Sequence, residues 1–321
     1  MVSYILLLVL GLVMVVAGAD VLVEGASSVA RKFGVSEFVI GLTIVGLGTS
    51  LPELVVSVTG ALQGNSDIAI GNVVGSNIFN VLLILAISAI ASPIAVTPEN
   101  HRRDVPITVG VTLLLIILGM SRTLFGLGAA DGLSRIEGLV FLLLFIVYII
   151  SCFVSDKPEP AADAEEEGKL YPVWVAVIMV LAGLGCLILG GNLFVGNAEK
   201  IAEALGVSDK FIAITVLAMG TSLPEFATSI VALVKHRSQM ALGNILGSNV
   251  FNILLILGTS AIISPMSFDG MNLVDMAALA LSALLILVSV KTGRRDRISR
   301  GDGIMMLLFF AAYMTWLFIK M

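Results

Sequence analysis

An all-α polytopic membrane fold, with ten transmembrane helices arranged as two inverted five-helix repeats, is predicted by three features of the sequence. The first is composition: of 321 residues, 58% are hydrophobic and 13% charged, and the mean hydropathy is +1.07, far outside the range of soluble domains. The second is that apolar runs near the length of a bilayer span, about 20 residues, recur ten times between charged or Pro/Gly/Asn-rich breaks. The third is that the second half of the chain repeats the first at an offset of 172 residues.

The spans read Tyr4–Val23, Phe38–Leu62, Ile68–Ala91, Val105–Met120, Ile136–Val154, Val173–Val195, Phe211–Val234, Met240–Ile263, Val274–Val290 and Ile304–Phe318. Together they leave no room for a folded soluble domain. The first run lacks a positive n-region and a small-residue cleavage site, so it reads as a span and not as a signal peptide. Residues 155–172 form a Pro-rich acidic stretch without apolar periodicity, which cannot offset the entropy of ordering. This stretch is the linker between a first repeat at 1–154 and a second at 173–321. Its run Glu165–Glu167 reads as a solvated face.

Gly48–Asn80 aligns without a gap on Gly220–Asn252, and 16 of the 33 positions are identical. The match extends outward, from Gly34, Val35 and Ser36 onto Gly206, Val207 and Ser208, and from Ser92–Pro93 onto Ser264–Pro265. Five spans per half make the second repeat enter the membrane from the opposite side. With the amino terminus outside, 13 of the 18 basic residues fall in inner loops and five outside. Positive-inside bias therefore places both termini outside and the acidic linker in the cytoplasm. The basic run from Lys291 to Arg300 is part of that topology signal.

Several functions are excluded. A pI near 5.1, a net charge of −5 and the absence of a basic stripe with aromatics argue against nucleic acid. Cys152 and Cys186 form no CxxC pair, so neither a disulfide framework nor a zinc site is indicated, and both read as small buried residues. No cofactor, no protein partner and no enzyme activity are called for: Ser50 or Ser222 could serve an intramembrane hydrolase, but the two histidines, His101 and His236, fall in predicted loops. The partners called for are small inorganic cations and the lipid bilayer.

The chemistry concentrates at the repeat. Ionisable residues deep in a span cost about 2.5–3.5 kcal/mol by insertion scales and need a partner or a purpose. Glu53 and Glu225 occupy equivalent positions, which an inverted pseudo-two-fold would bring together near the midplane. Two carboxylates there cannot both ionise without help, and a bound cation supplies it. Pro52 and Pro224 remove a helical N–H and free the carbonyls of Gly48 and Gly220, with Gly46, Gly48 and Gly220 easing the break. Thr49, Ser50, Thr221 and Ser222 lie at that break and offer carbonyls and hydroxyls.

The third and eighth spans each carry Gly-Asn-x-x-Gly-Ser-Asn-x-Phe-Asn. Gly71, Gly75, Gly243 and Gly247 read as small-xxx-small packing faces. Ser76 with Asn80, and Ser248 with Asn252, share one helix face, and Asn72 and Asn244 extend it. Asn77 and Asn249 point elsewhere and read as interhelical glue. This all-oxygen set suits calcium or sodium better than magnesium, and better than zinc or copper, which favour nitrogen and sulfur. Asp20 and Glu24, whose repeat counterparts are Asn192 and Gly196, have no assigned role beyond marking the inner end of the first span.

With GTSLPE and GNxxGSNxFN each present twice, the chain resembles the cation/calcium antiporter superfamily, in particular its compact prokaryotic sodium/calcium exchanger-like members. The resemblance covers both repeats and, by span count, the whole chain. It implies that the second, third, seventh and eighth helices form the ion site while the first and sixth slide against them. Glu53 and Glu225 would ligate calcium and alternately sodium, surrounded by Thr49, Thr221, Ser50, Ser222, Ser76, Ser248, Asn80 and Asn252. Asn80 matches the usual residue, whereas some branches have Asp in place of Asn252, so ion stoichiometry stays open. The implied function is secondary active calcium/cation antiport, sodium-coupled by preference, by alternating access. A proton/calcium antiporter uses the same glutamates with raised pKa values, and a calcium channel is a more distant alternative.

Overall fold

The computed structural model describes residues 1–127, 130–155, 169–205, 218–268, 270–292 and 297–320. The linker residues 156–168, the Gly206–Ser208 match, the start of the seventh span, and Lys157, Lys210, Arg294 and Arg295 lie outside the described residues. In chain order the helices are α1 (Val2–Phe33), α2 (Glu37–Ile40), α3 (Gly46–Thr49), α4 (Leu51–Leu62), α5 (Ser66–Phe79), α6 (Ala86–Ala91), α7 (Val105–Gly119), α8 (Ser121–Phe125) and α9 (Arg135–Ser155). The second half adds α10 (Val173–Ala204), α11 (Ala218–Thr221), α12 (Leu223–Val234), α13 (Ser238–Phe251), α14 (Gly258–Ile263), α15 (Leu273–Thr292) and α16 (Arg300–Lys320). Wide π-helical turns at Gly41–Val45, Asn80–Leu85, Asn100–Asp104 and Asn252–Leu257 join neighbouring helices without a break.

Among the described residues, seven helices are long and apolar enough to cross a membrane, and a bent pair, Glu37–Thr49 with Leu51–Leu62, makes an eighth. The fourth expected span is present as α7, 15 residues long, and the seventh as α11 and α12 from position 218 onward. His101 sits in the helical turn that leads into α7, not in a loop. The first and sixth spans run longer than the apolar pattern, 32 residues each, and the polar end of α1 is paired with Lys235. Gly34, in the left-handed conformation at φ 64°, then closes α1 by donating its N–H to the Ala30 carbonyl.

The chain divides into two compact units, Met1–Ser50 with Cys152–Asn244, and Leu51–Ser151 with Ile245–Met321. Each draws on both repeats, so the units do not coincide with the sequence halves. In the first, α1 and α10 pack through glycines spaced seven residues apart. A Cβ on Gly18 would lie 2.8 Å from the Gly183 carbonyl oxygen, and one on Gly190 would lie 2.8 Å from that of Gly11. Only a bare backbone allows that approach. Gly243 likewise admits the backbone of Phe38 and Leu42. Gly71 and Gly75, expected to do the same, meet no described backbone within 4 Å, and the counterparts of Phe38 and Leu42 lie outside the described residues.

The second unit keeps the repeat symmetry in its packing. Phe79 meets Phe310 edge-on at 5.9 Å, and its counterpart Phe251 meets Phe145 at 5.2 Å. Gly303 packs on the Ala86 carbonyl as Gly138 packs on that of Gly258. Two short antiparallel ribbons, Ile94–Ala95 with Arg297–Ile298 and Gly132–Leu133 with Met266–Ser267, follow the two Ser-Pro breaks. Buried Asp104 accepts from Tyr148 at 3.2 Å and pairs with Arg103, and Asp275 accepts from Tyr313 at 2.9 Å. Cys152 is buried and Cys186 half-buried, both as free thiols.

Candidate ion-binding site

Both expected breaks form, and they fall on serine. Ser50 (φ −84°, ψ 7°) separates α3 from α4, and Ser222 (φ −88°, ψ 5°) separates α11 from α12. The first pair of segments is bent by 48°. Pro52 and Pro224 stand at the second helical position, where a missing N–H costs nothing. The upstream glycines do not supply the expected unwound backbone: Gly46 and Gly48 are helical residues of α3, and Gly220 belongs to α11. They act sterically instead, since a Cβ on Gly48 would collide with Leu184 and one on Gly220 with Val195.

The break puts each glutamate in the first turn of a new helix, Glu53 in α4 and Glu225 in α12. The unpaired N–H groups and positive dipole end of a helix start favour negative charge there. Both acids are 1% exposed. Ser50 donates its hydroxyl to Glu225 Oε1 at 3.0 Å, a first-repeat side chain serving the second-repeat acid. Thr49 donates to Asn244 Oδ1 at 3.2 Å, and Asn244 Nδ2 reaches the Glu225 carbonyl at 3.2 Å. Thr49, Ser50, Ser222 and Glu225 are therefore buried in one unit, with Thr221 half-buried beside them in sequence.

Glu53, Ser76, Ser248, Asn80 and Asn252 are buried in the other unit. Asn80 Nδ2 donates to Asn249 Oδ1 at 3.1 Å, and Asn252 Nδ2 donates to Asn77 Oδ1 at 2.9 Å. Asn77 and Asn249 are the interhelical glue expected of them. Their pull orients Asn80 and Asn252 so that the amide nitrogens are used and the oxygens are not. Among the described residues, Asn80 Oδ1, Asn252 Oδ1 and Ser248 Oγ are buried without a hydrogen-bond partner. A buried orphan acceptor costs about 1–3 kcal/mol, and a hard cation is the partner such oxygens fit.

Two features escaped the sequence reading. Asn72 and Asn244 face the glutamate backbone: Asn72 Nδ2 donates to the Glu53 carbonyl at 3.2 Å and to Ser57 Oγ at 3.0 Å, as Asn244 does to the Glu225 carbonyl and, at 2.9 Å, to Ser229 Oγ. The signal was present, because Ser57 and Ser229 recur four residues after each glutamate. The π-helical turns starting at Asn80 and Asn252 had no sequence signal that we can name. Such wide turns concentrate at functional sites.

A family model described as sodium/calcium exchanger protein matches residues 3–154 and 175–319, nearly the whole chain. The chain belongs to the sodium/calcium exchanger protein family. Relatives in this family include the sodium/calcium exchanger MaX1 of Methanosarcina acetivorans, 33% identical with 98% of each chain covered. The inner membrane protein YrbG of Escherichia coli is also 33% identical, over 97% of this chain and 94% of its own. A structure of the sodium-calcium exchanger NCX_Mj soaked with zero Na+ and Ca2+ superposes with a TM-score of 0.84 at 33% identity, covering 98% of this chain and 99% of that one. The exchanger fold, a multi-pass membrane protein of ten helices in two inverted repeats, is thereby shared.

Proposed function

We propose that this protein is a secondary active antiporter that exchanges sodium for calcium by alternating access. The observation that carries the reading is the crossing of repeats at buried oxygen: Ser50 serves Glu225, and Asn80 and Asn252 are each turned by an asparagine of the opposite repeat. The unsatisfied oxygens of Asn80, Asn252 and Ser248 support a cation as the missing partner. Family membership and the sodium/calcium exchangers among its relatives support sodium and calcium as the cargo.

In this reading Glu53 and Glu225 are the charged ligands, and Thr49, Ser50, Thr221, Ser222, Ser76, Ser248, Asn80 and Asn252 supply neutral oxygens. Calcium and sodium compete for the same carboxylates. An empty site with two bare charges is costly to bury, so the transporter changes conformation only when loaded, which enforces exchange over leak. No resident cofactor and no protein partner enter the cycle. The membrane orientation has both termini outside and residues 155–172, the linker between the repeats 1–154 and 173–321, in the cytoplasm.

The test is calcium-45 uptake into proteoliposomes loaded with sodium, against potassium-loaded and proton-gradient controls. Uptake that requires internal sodium and vanishes in Glu53→Gln is the expected result. Uptake driven by a proton gradient alone moves the protein to proton coupling, and entry without any counter-ion makes it a channel.

A further inference from the structure

Alternating access in an inverted-repeat transporter approximately exchanges the conformations of the two repeats. If the repeats were identical, the two facing states would be equal in energy. Any bias must come from residues that differ between repeat-related positions, and one such difference lies at one end of the first unit. Lys235, the residue that ends α12, places its ammonium 2.9 Å from Asp20 Oδ1 and 2.6 Å from Glu24 Oε1, both on α1. Two residues on, Arg237 pairs with Glu37 at the start of α2, and Ser27 of α1 donates to the same carboxylate at 3.5 Å.

The turn between the two cations is built for this placement. His236 holds a left-handed φ of 59°, and the N–H groups of His236 and Arg237 close the helix end on the carbonyls of Leu233 and Ala232. Its repeat counterpart is Gly64, at φ 70°, so the turn is shared and only the charges differ. Burial works to lower the Lys235 pKa, but the hydrogen bonds to Glu24 and Asp20 outweigh it and hold the ammonium above its ordinary value.

The sequence does not repeat these acid–base pairings at the repeat-related positions. Asp20, Glu24 and Lys235 become Asn192, Gly196 and Gln63, and Glu37 with Arg237 become Asp209 with Asn65. Where Asn192 and Gly196 stand on α10, the first unit has a cavity of about 470 Å³ instead, lined also by Met14, Leu193, Asn197 and Lys200. Among the described residues, the ion pairs of α1 lie at one end of the α1–α10 pair.

We propose that Asp20, Glu24 and Lys235, with Glu37 and Arg237, form a one-sided ionic latch. It biases the transporter toward the state in which its own end of α1 is closed. The inference rests on the proposed alternating-access reading. With the proposed orientation the latched end is cytoplasmic, so the latch favours the outward-facing state. Because Asp20 is half exposed and such pairs are individually weak, the latch tunes the balance of states without forbidding either.

The test uses full-length protein in proteoliposomes, with Cys152 and Cys186 replaced by serine and a reporter Ser28→Cys. Ser28 is fully buried on α1 beside the latch, so a small permeant maleimide reacts only when that end opens. Lys235→Gln should raise the labelling rate on the order of threefold, and high salt should do the same to the latched protein. An unchanged rate in Lys235→Gln overturns the latch. A rise in Lys235→Gln that high salt does not reproduce in the latched protein also overturns it, because it shows that losing the side chain, and not the charge pairing, opened that end. Labelling needs no transport, so a failure of sodium/calcium exchange in the calcium-45 assay remains a separate result.

Discussion

The two repeats treat their glutamates differently, although 16 of 33 aligned positions are the same. In the first, Asn72 ties the Glu53 carbonyl to Ser57. In the second, Asn244 ties the Glu225 carbonyl to Ser229 and also meets Thr228 Oγ1 at 3.0 Å, while Thr228 donates to the Pro224 carbonyl at 2.7 Å. Position 56, the counterpart of Thr228, is valine. The second repeat therefore adds a hydroxyl to the asparagine that holds its acid, where the first has an apolar side chain. Near-identical motifs can present one stiffer and one looser half, and a single hydroxyl is the difference.

Removing the charges is the change that should not distinguish the repeats. Glu53→Gln and Glu225→Gln should each lower sodium-driven calcium-45 uptake by more than about a hundredfold, because each loses a charged ligand that cannot be replaced inside the membrane. Retained flux in either variant would show that one repeat alone suffices.

The asparagines should distinguish them. Asn244→Ala also strips a partner from Thr228 Oγ1, for which Val56 offers Asn72 no counterpart, at about 1–3 kcal/mol for an orphaned group, so its calcium KM should rise about tenfold and that of Asn72→Ala about threefold. Equal shifts would dissolve the asymmetry. Thr228→Val sharpens the same point, since it should bring the second repeat down to the behaviour of the first at a cost of about 1 kcal/mol. Ser50→Ala removes the donor to Glu225 Oε1, a charge-assisted bond worth about 1.5–3 kcal/mol, and should weaken calcium binding without a matching effect on sodium-free stability.

The smallest effect belongs to a loop outside the repeats' shared core. Hydrogen bonding from the Thr123 side chain, aided by the N–H groups of Thr123 and Arg122, holds the Asp131 carboxyl below its ordinary pKa. A depressed acid contributes stability above its unfolded pKa and loses it as pH falls through the lower folded value. Protection of the amide hydrogens of residues 122 and 123 should therefore fade only below about pH 4, and Asp131→Asn should abolish that dependence.

Much of the candidate site could be read in advance because repetition substitutes for comparison. A carboxylate after proline, twice and at one offset, marked Glu53 and Glu225, and the serine and threonine of each break came with them. Asn80 and Asn252 followed from the spacing of four that puts them on the face of Ser76 and Ser248. The glycines were read less well. Gly48 and Gly220 looked like hinges, yet they are helical residues that clear space for Leu184 and Val195, and steric relief from a distant helix leaves no local signature. Asp20 and Glu24 had no role in sequence because Lys235 lies more than two hundred residues away.

Composition and periodicity alone determined the solvent, the spans and the inverted repeat, because a bilayer punishes every unsatisfied backbone group and so imposes helix length and apolarity residue by residue. Which oxygens stay unsatisfied, which asparagine holds which carbonyl, and where an ion pair fastens one end of α1 were decided only by tertiary structure. Those depend on side chains from opposite repeats meeting at about 3 Å, and a linear sequence holds no distances between residues far apart along it.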